Sequence, residues 1–370
     1  MLDNEYDSGR LFNAPQTQTN YSDAKRVADA ATSRQAMTVE RLAEKVLEGS
    51  RQHIARAITL VESSHPDHRR ISRTLLRILR PYAGKAIRVG ISGVPGAGKS
   101  TFIDAMGRRL IDMGHRVAVL AIDPTSTKTG GSILGDRTRM GELAASDAAF
   151  VRPSPTSGHL GGVARATRES MIITEAAGFD VTLIETVGVG QSEVAVAGMV
   201  DTFLLITLAR AGDQLQGIKR GILEMADIIT VNKADGEHET EARMAARDLQ
   251  VAMKLINSDP DAPRAQVLTS SSVTGKGLDE LWQAIKAHRA QLEASGELES
   301  RRAKQQLEWL WALVNGELED AMRRSQRVKD IAGELEAEVV SGELSALEAS
   351  TAIISAFAQD IPTLIRAETH

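Results

Sequence analysis

Two hydrophobic patterns divide the chain. From Thr38 onward Leu42, Val46, Ile54, Ile58 and Val61 recur near spacings of three and four, the period of a helix with one apolar face. Ser64-His65-Pro66-Asp67 interrupts it, and Ile71, Leu75, Leu76 and Leu79 resume a helix predicted to stop at Pro81. Short continuous apolar runs then take over, at 87–92, 116–122, 180–185, 202–208, 227–231 and 265–269, with helical stretches between them. That alternation predicts an α/β fold with a mostly parallel, doubly wound sheet. Ligands bind at the carboxyl ends of the strands in such sheets, and Asp123, Glu185, Asn232 and Ser271 stand at those ends.

Beyond Gly277 the helical period returns. Leu278, Leu281, Trp282 and Ile285 form a stripe that closes the sheet domain, and a Glu- and Arg-rich segment follows with Leu307, Leu310, Trp311, Val314 and Leu318 on one face. Such a stripe serves equally as core or as an intersubunit helical arm. Ser341-Gly342-Glu343 predicts a break, and a last helix runs through Ile353, Ile354 and Phe357 to Pro362. The expected organisation is a flexible polar tail over 1–36, an N-terminal helical region over 37–84, a nucleotide domain over 85–295 and a C-terminal helical region over 296–370.

Composition narrows the chemistry. A net charge of −5, a pI of about 6.0 and an aromatic content of 3% argue against nucleic acid as a partner. The absence of cysteine excludes disulfides, thiolate metal sites and cysteine nucleophiles. No apolar run reaches membrane-spanning length and Met1 to Asp7 lacks a signal pattern, so the expectation is a cytoplasmic protein without membrane association.

The chemistry concentrates in a few stretches. The apolar run 87–92 feeds Gly93-Val94-Pro95-Gly96-Ala97-Gly98-Lys99-Ser100-Thr101 and then a helix. This is a phosphate-binding loop: the glycines let backbone N–H groups turn inward on an oxyanion, Lys99 supplies a cation for the β- and γ-phosphates, and Ser100 a hydroxyl for Mg²⁺. Asn232-Lys233-Ala234-Asp235 follows another strand. There the Asp235 carboxylate can accept both N–H donors of the guanine edge, a pair that adenine lacks, while Asn232 ties neighbouring loops and Lys233 lies over the base. Ser271, Ser272 and Val273, in the Ser-rich turn ending the next strand, can close over the base with backbone N–H groups. Glu185-Thr186-Val187-Gly188 ends a strand where phosphate-loop enzymes keep the acid that holds Mg²⁺ and a glycine that senses the γ-phosphate. Asp123 and Asp136 are further acids within possible reach of the metal or the attacking water, or else simply turn residues.

Several stretches together resemble one family. They are Asp123-Pro124-Thr125-Ser126, the run Gly130 to Met140, Arg152-Pro153-Ser154-Pro155, the run Glu185 to Glu193, and Gly212-Asp213-Gln214-Leu215-Gln216-Gly217-Ile218-Lys219. The family is that of the GTPase chaperones of cobalamin-dependent acyl-CoA mutases, which includes the methylmalonyl-CoA mutase accessory proteins. The resemblance implies a GTP/GDP-binding, Mg²⁺-dependent GTPase that docks on the mutase and gates delivery of adenosylcobalamin from an adenosyltransferase. It also implies that the protein protects or reactivates the mutase, with no cobalamin bound by the chain itself. It implies slow intrinsic turnover stimulated by the partner, and a homodimer formed through C-terminal arms. It assigns catalysis to Lys99, Asp123, Asp136 and Glu185, and metal contact to Ser100, Asp123, Asp136 and Glu185. A partner-responsive loop would include Gly212, Asp213, Gln214, Gln216 and Lys219. Gln214 departs from a position often held by Glu, and His159 from one often held by Thr.

Two other classes compete. A kinase would transfer the γ-phosphate to a transport-related protein or metabolite, and the guanine-reading run Asn232 to Asp235 argues against it. A metal-insertion GTPase tends to carry Cys or His clusters; here Cys is absent and only His65 and His68 lie close together.

Overall fold

The computed structural model describes residues 38–63, 65–123, 140–155, 160–186, 192–209, 220–256 and 265–368. The tail expected over 1–36 lies outside them. Helices α1 (38–47), α2 (Arg51–Glu62) and α3 (Pro66–Leu79) lead in. The apolar period that runs from Leu42 to Val61 is two helices, because Gly49 turns the chain between them with a φ of 78°. His65 caps α3: its Nδ1 accepts the Asp67 N–H at 3.3 Å, and Pro66 fills a position where no N–H is needed.

The sheet domain runs β1 (Ile87–Gly93), α4 (Lys99–Asp112), β2 (Val117–Asp123), α5 (Gly141–Ala145), β3 (Ala149–Pro155), α6 (Leu160–Ala176), β4 (Val181–Glu185), α7 (Ser192–Ala197) and β5 (Thr202–Leu208). It continues through α8 (Arg220–Met225), β6 (Ile228–Asn232), α9 (Glu239–Ile256), β7 (Gln266–Thr269) and α10 (Leu278–Ala294). The seven strands form one sheet in the order β3-β2-β4-β1-β5-β6-β7, and each neighbouring pair is parallel. Strand β3 has no counterpart among the predicted apolar runs, since Pro153 and Pro155 cannot donate to two neighbours. It forms because it is an edge strand, where a missing N–H is tolerated.

Strands β4 and β6 are buried along their whole length, as parallel strands covered on both faces must be. Phe102 and Ile103 of α4 and Leu281 and Trp282 of α10 cover Val89, Ile91 and Leu204 on one side. On the other, Met171 of α6, Val196 of α7 and Leu249 and Met253 of α9 cover Ile184, Leu205 and Ile229. Gly90 makes the second layer possible: a Cβ there would sit 2.7 Å from Val196 Cγ1. A third cluster joins the lead-in to the domain, with Ile54, Ile58, Leu75 and Leu79 against Phe150, Ile173 and Phe179. Among the described residues no helix is long and apolar enough to cross a membrane.

Three helices end the chain: α11 (Glu297–Arg324), α12 (Gln326–Ser341) and α13 (Ala346–Glu368). Gly342 stops α12 with a left-handed φ of 81°. The expected stop at Pro362 is not made, and α13 runs on to Glu368; proline removes one N–H and can bend a helix without ending it. Leu307, Leu310, Trp311 and Leu318 of α11 are more than half exposed, so in this chain their stripe is not core.

The opposite face of α11 is gripped by a buried carboxylate. Asp201, just before β5, is fully buried and accepts Arg302 Nε at 2.8 Å, Arg302 Nη2 at 2.7 Å, Arg289 Nη1 at 3.2 Å and the Arg88 N–H at 3.1 Å. Arg301 Nη1 donates to the Asp201 carbonyl at 2.6 Å, and Gln305 Nε2 to the Val200 carbonyl at 2.8 Å. Breaking a buried pair by removing one side leaves charge uncompensated and costs about 3–5 kcal/mol. Asp201→Ala is therefore expected to lower the unfolding free energy by about that much in a denaturant titration followed by far-UV circular dichroism. Arg302→Lys, which keeps the charge but not the paired donors, should cost less; an unchanged midpoint for Asp201→Ala would remove this cluster as the anchor of α11.

Candidate functional site

The strand ends place four loops along one edge of the sheet. The first is the turn from β1 into α4. Gly93 pairs with Ile206 of β5, and a Cβ on it would lie 2.1 Å from the Ile206 carbonyl oxygen, so only glycine lets the strands close here. Gly98 enters α4 in the left-handed region at φ 86°, with space for a Cβ limited by Asn232 Nδ2 at 3.1 Å. The loop closes on itself through Ala97 N–H to Val94 O at 3.1 Å, and Phe102 N–H begins the helix on Gly98 O at 2.8 Å. Lys99 folds back over this loop, its Nζ 2.9 Å from the Gly93 carbonyl and 3.4 Å from that of Val94. Its cation is thereby held at the mouth of a ring of backbone groups, next to the positive end of α4.

The second loop follows β4. Its register against β1 sets Ile91 beside Glu185, and Thr186 N–H continues the ladder to Ile91 O at 3.0 Å. Glu185 is buried and accepts a 3.0 Å hydrogen bond from Ser100 Oγ. A hydroxyl and a carboxylate brought together beneath a phosphate loop are all-oxygen donors of the hard kind that Mg²⁺ takes. The pair therefore fits that ion.

The third and fourth loops follow β6 and β7 and are joined through Asn232, which is 2% exposed. Its Nδ2 donates to the Ala97 carbonyl of the phosphate loop at 2.9 Å. Its Oδ1 accepts from Ser272 Oγ at 3.1 Å and Ser270 Oγ at 3.4 Å. Lys233 is the one non-glycine with positive φ, 60°, among the described residues, and its side chain is exposed. A non-glycine held in the left-handed region points to a functional constraint. Asp235 accepts from Ser271 Oγ at 2.7 Å, which fixes one carboxylate oxygen. The Ser271 N–H donates to Lys276 O at 2.8 Å, and Gly277, whose Cβ would lie 2.2 Å from Thr269 O, lets the turn close. Val273, at its tip, is 82% exposed. Beside this turn Lys276 donates to Glu239 at 2.6 Å and, with Arg243, holds that carboxyl below its usual range.

Residues from Gly93 to Thr101, Glu185, Asn232, Lys233, Asp235 and Ser271 to Val273 thus stand on one edge. The backbone of Asp123 ends β2 on the same edge. Asp136, Gly188 and the expected partner loop, Gly212, Asp213, Gln214, Gln216 and Lys219, lie outside the described residues. Two residues escape the sequence reading. Ser270 and Thr230 are buried, with their hydroxyls 2.9 Å apart, and Ser270 also reaches Asn232. Their signal was a polar residue inside an apolar strand and one at the start of a Ser-rich turn, either of which reads as ordinary.

Known proteins resemble this chain over most of its length. The family model described as "Methylmalonyl Co-A mutase-associated GTPase MeaB" matches residues 54–327. The chain is 57% identical to the "Probable GTPase Rv1496" of Mycobacterium tuberculosis, over 89% of this chain and 98% of that one. It is 44% identical to the "Methylmalonic aciduria type A homolog, mitochondrial" of Mus musculus, over 86% of this chain and 79% of that one. Among solved structures, that of a LAO/AO transport system kinase superposes with a TM-score of 0.68 at 37% identity, covering 87% of this chain and 98% of its own. A phosphate loop and a guanine-type motif on one parallel sheet, with these relatives along nearly the whole chain, make it a member of the family of methylmalonyl-CoA mutase-associated GTPases of the MeaB type.

Proposed function

We propose that this chain is a Mg²⁺-dependent GTPase acting on a cobalamin-dependent acyl-CoA mutase, most directly methylmalonyl-CoA mutase. There it gates adenosylcobalamin loading and protects or reactivates the enzyme. The observation that carries the GTP reading is the Asn232 node. It ties the phosphate loop to the base loop, while Ser271 holds one oxygen of Asp235 and orients the carboxylate as a two-point acceptor. The mutase as partner is supported by the family description and by the name of the mouse relative.

In this reading the backbone of Gly93 to Gly98 and the Lys99 cation bind the phosphates. Ser100 and Glu185, with Asp123 and Asp136 as the resemblance assigns them, hold Mg²⁺, which neutralises charge on the phosphate oxygens when bound. Water attacks the γ-phosphorus, a new O–P bond forms, the bond to the β-phosphate oxygen breaks, and GDP and phosphate leave. Catalysis of this kind is positioning and charge stabilisation, so loops that order on a partner control its rate. Turnover of the isolated protein is therefore slow, and the segment around Gly212 to Lys219 answers to the mutase. A homodimer forms through the outward stripe of α11. Release of free phosphate, with no phosphorylated product, distinguishes this reading from a kinase.

Two substitutions test the reading. Asp235→Asn removes an acceptor for the guanine N–H groups and supplies an amide donor suited to the C2 carbonyl of xanthine. GTP affinity is expected to fall by about a hundredfold, since charged hydrogen bonds are worth roughly 1.5–3 kcal/mol each, and XTP affinity to rise. Unchanged GTP binding would remove Asp235 from the base site. For the arm, Trp311→Glu places a charge in the middle of the apolar stripe, and sedimentation velocity should show a shift from dimer to monomer with GTP binding intact. A variant that sediments as the parent does would place the interface elsewhere.

A further inference from the structure

A cleft of about 180 Å³, lined by none of the strand-end residues described above, opens where α3, α6 and α11 meet. Arg69 and Arg73 of α3, Arg165 and Glu169 of α6 and Glu317 of α11 line it. Two of the arginines have counter-ions: Arg69 lies 3.0 Å from Asp320 and 3.7 Å from Glu317, and Arg73 lies 3.3 Å from Glu317. Arg165 makes no ion pair among the described residues, and its Nε is buried without an acceptor, as is the Nε of Arg69. Buried donors in native proteins are satisfied by protein, water or a bound ion, and a guanidinium left without a partner is costly.

Glu169 does not supply the missing acceptor. It makes no hydrogen bond or ion pair with any of the three arginines, although it shares the cleft with them. Burial pushes its carboxyl up to about 7, against the pull of Arg165, Arg69 and Arg73. In the cleft it is joined by Arg69 and Arg73 of α3, by Arg165 of its own helix and by Glu317 of α11, while α2 contributes only the apolar Val61; Asp320 of α11 enters through its pair with Arg69. With Glu169 neutral, the three arginines of the cleft have two carboxylate counter-ions, Glu317 and Asp320, both paired to Arg69 or Arg73.

We propose that this cleft binds a small free oxyanion on the unpartnered guanidinium edges of Arg165 and Arg69, joining the lead-in helices and α6 to the α11 arm. Planar guanidinium groups suit phosphate, sulfate or a short carboxylate equally. The bound anion disfavours a second negative charge beside it, so binding takes up a proton on Glu169. It strengthens as pH falls through 7 and weakens above. The arm is the element affected: α6 also holds α11 through Arg168 Nη1, 3.0 Å from the Gln305 carbonyl, and Arg168 lies over the Trp309 ring at 5.2 Å.

The test uses the full chain and sulfate as probe, because sulfate keeps one charge state between pH 6 and 8. Sulfate titrated calorimetrically into Lys99→Ala, whose phosphate loop lacks its cation, should still bind. It should bind about tenfold more tightly at pH 6 than at pH 8, the change in the neutral fraction of a group titrating near 7. Arg165→Gln in the same background should lose the binding by tenfold or more. Its melting temperature in sulfate-free buffer should be no lower than its parent's, since the guanidinium there satisfies no partner. Glu169→Gln should bind equally at both pH values, with the pH 6 affinity. Phosphate and acetate in place of sulfate then rank the oxyanions. Sulfate binding that survives Arg165→Gln, that is absent from Lys99→Ala, or that does not respond to pH would overturn the proposal.

Discussion

The buried side-chain amide of Asn232 holds the two halves of the candidate site in one geometry. Its donor end closes on the phosphate loop at Ala97, and its acceptor end collects Ser270 and Ser272 from the loop after β7. In a buried setting each of these bonds is costly to leave unmade, so loops far apart in sequence move as a unit. Gly98, with no side chain, leaves room for this approach, since a Cβ there would lie 3.1 Å from Asn232 Nδ2. Loss of the node would remove the direct tie between the phosphate loop and the loops around Asp235, leaving only the strand register to set the distance that reading a base while holding its phosphates requires.

At the other end of the same strands, Asp201 performs a comparable service for the helical arm. The parallel sheet thus carries ligand chemistry on its carboxyl edge and the arm's anchor on the opposite one. Between them runs a short path. Glu185 ends β4, α7 follows, and Gly198, Val200 and Asp201 are then gripped in turn by Arg168, Gln305 and Arg302. Helix α11 is consequently two-faced: Arg302 and Gln305 look into the domain, and Leu307, Leu310 and Trp311 look out. Any rearrangement after Glu185 that displaces α7 acts on the inner face of the helix whose outer face is exposed.

Much of this was legible in the residue order. Continuous apolar runs gave the central strands because burial on both faces demands them, and glycine spacing gave the phosphate loop because few other residues admit its geometry. Edge strand β3 was hidden by Pro153 and Pro155, which speak against a strand until one knows that a single neighbour has to be served. The split at Gly49 was hidden because two helices can share one apolar face across a turn. Ser270, Thr230 and the arm's anchor at Asp201 were hidden for a common reason. Polar residues buried by long-range pairing carry no local pattern, and Asp201 meets Arg302 across a hundred residues of intervening chain.

The most direct measurement is phosphate release by the purified full-length protein with Mg²⁺, with GTP or ATP as substrate, alone and with candidate cobalamin-dependent acyl-CoA mutases. Slow turnover confined to GTP and accelerated by one mutase is the predicted result, and it would identify the partner at the same time. Equal use of ATP would contradict the base-reading role of Asp235 held by Ser271. Fast GTP cleavage indifferent to every mutase would contradict a switch completed by its partner.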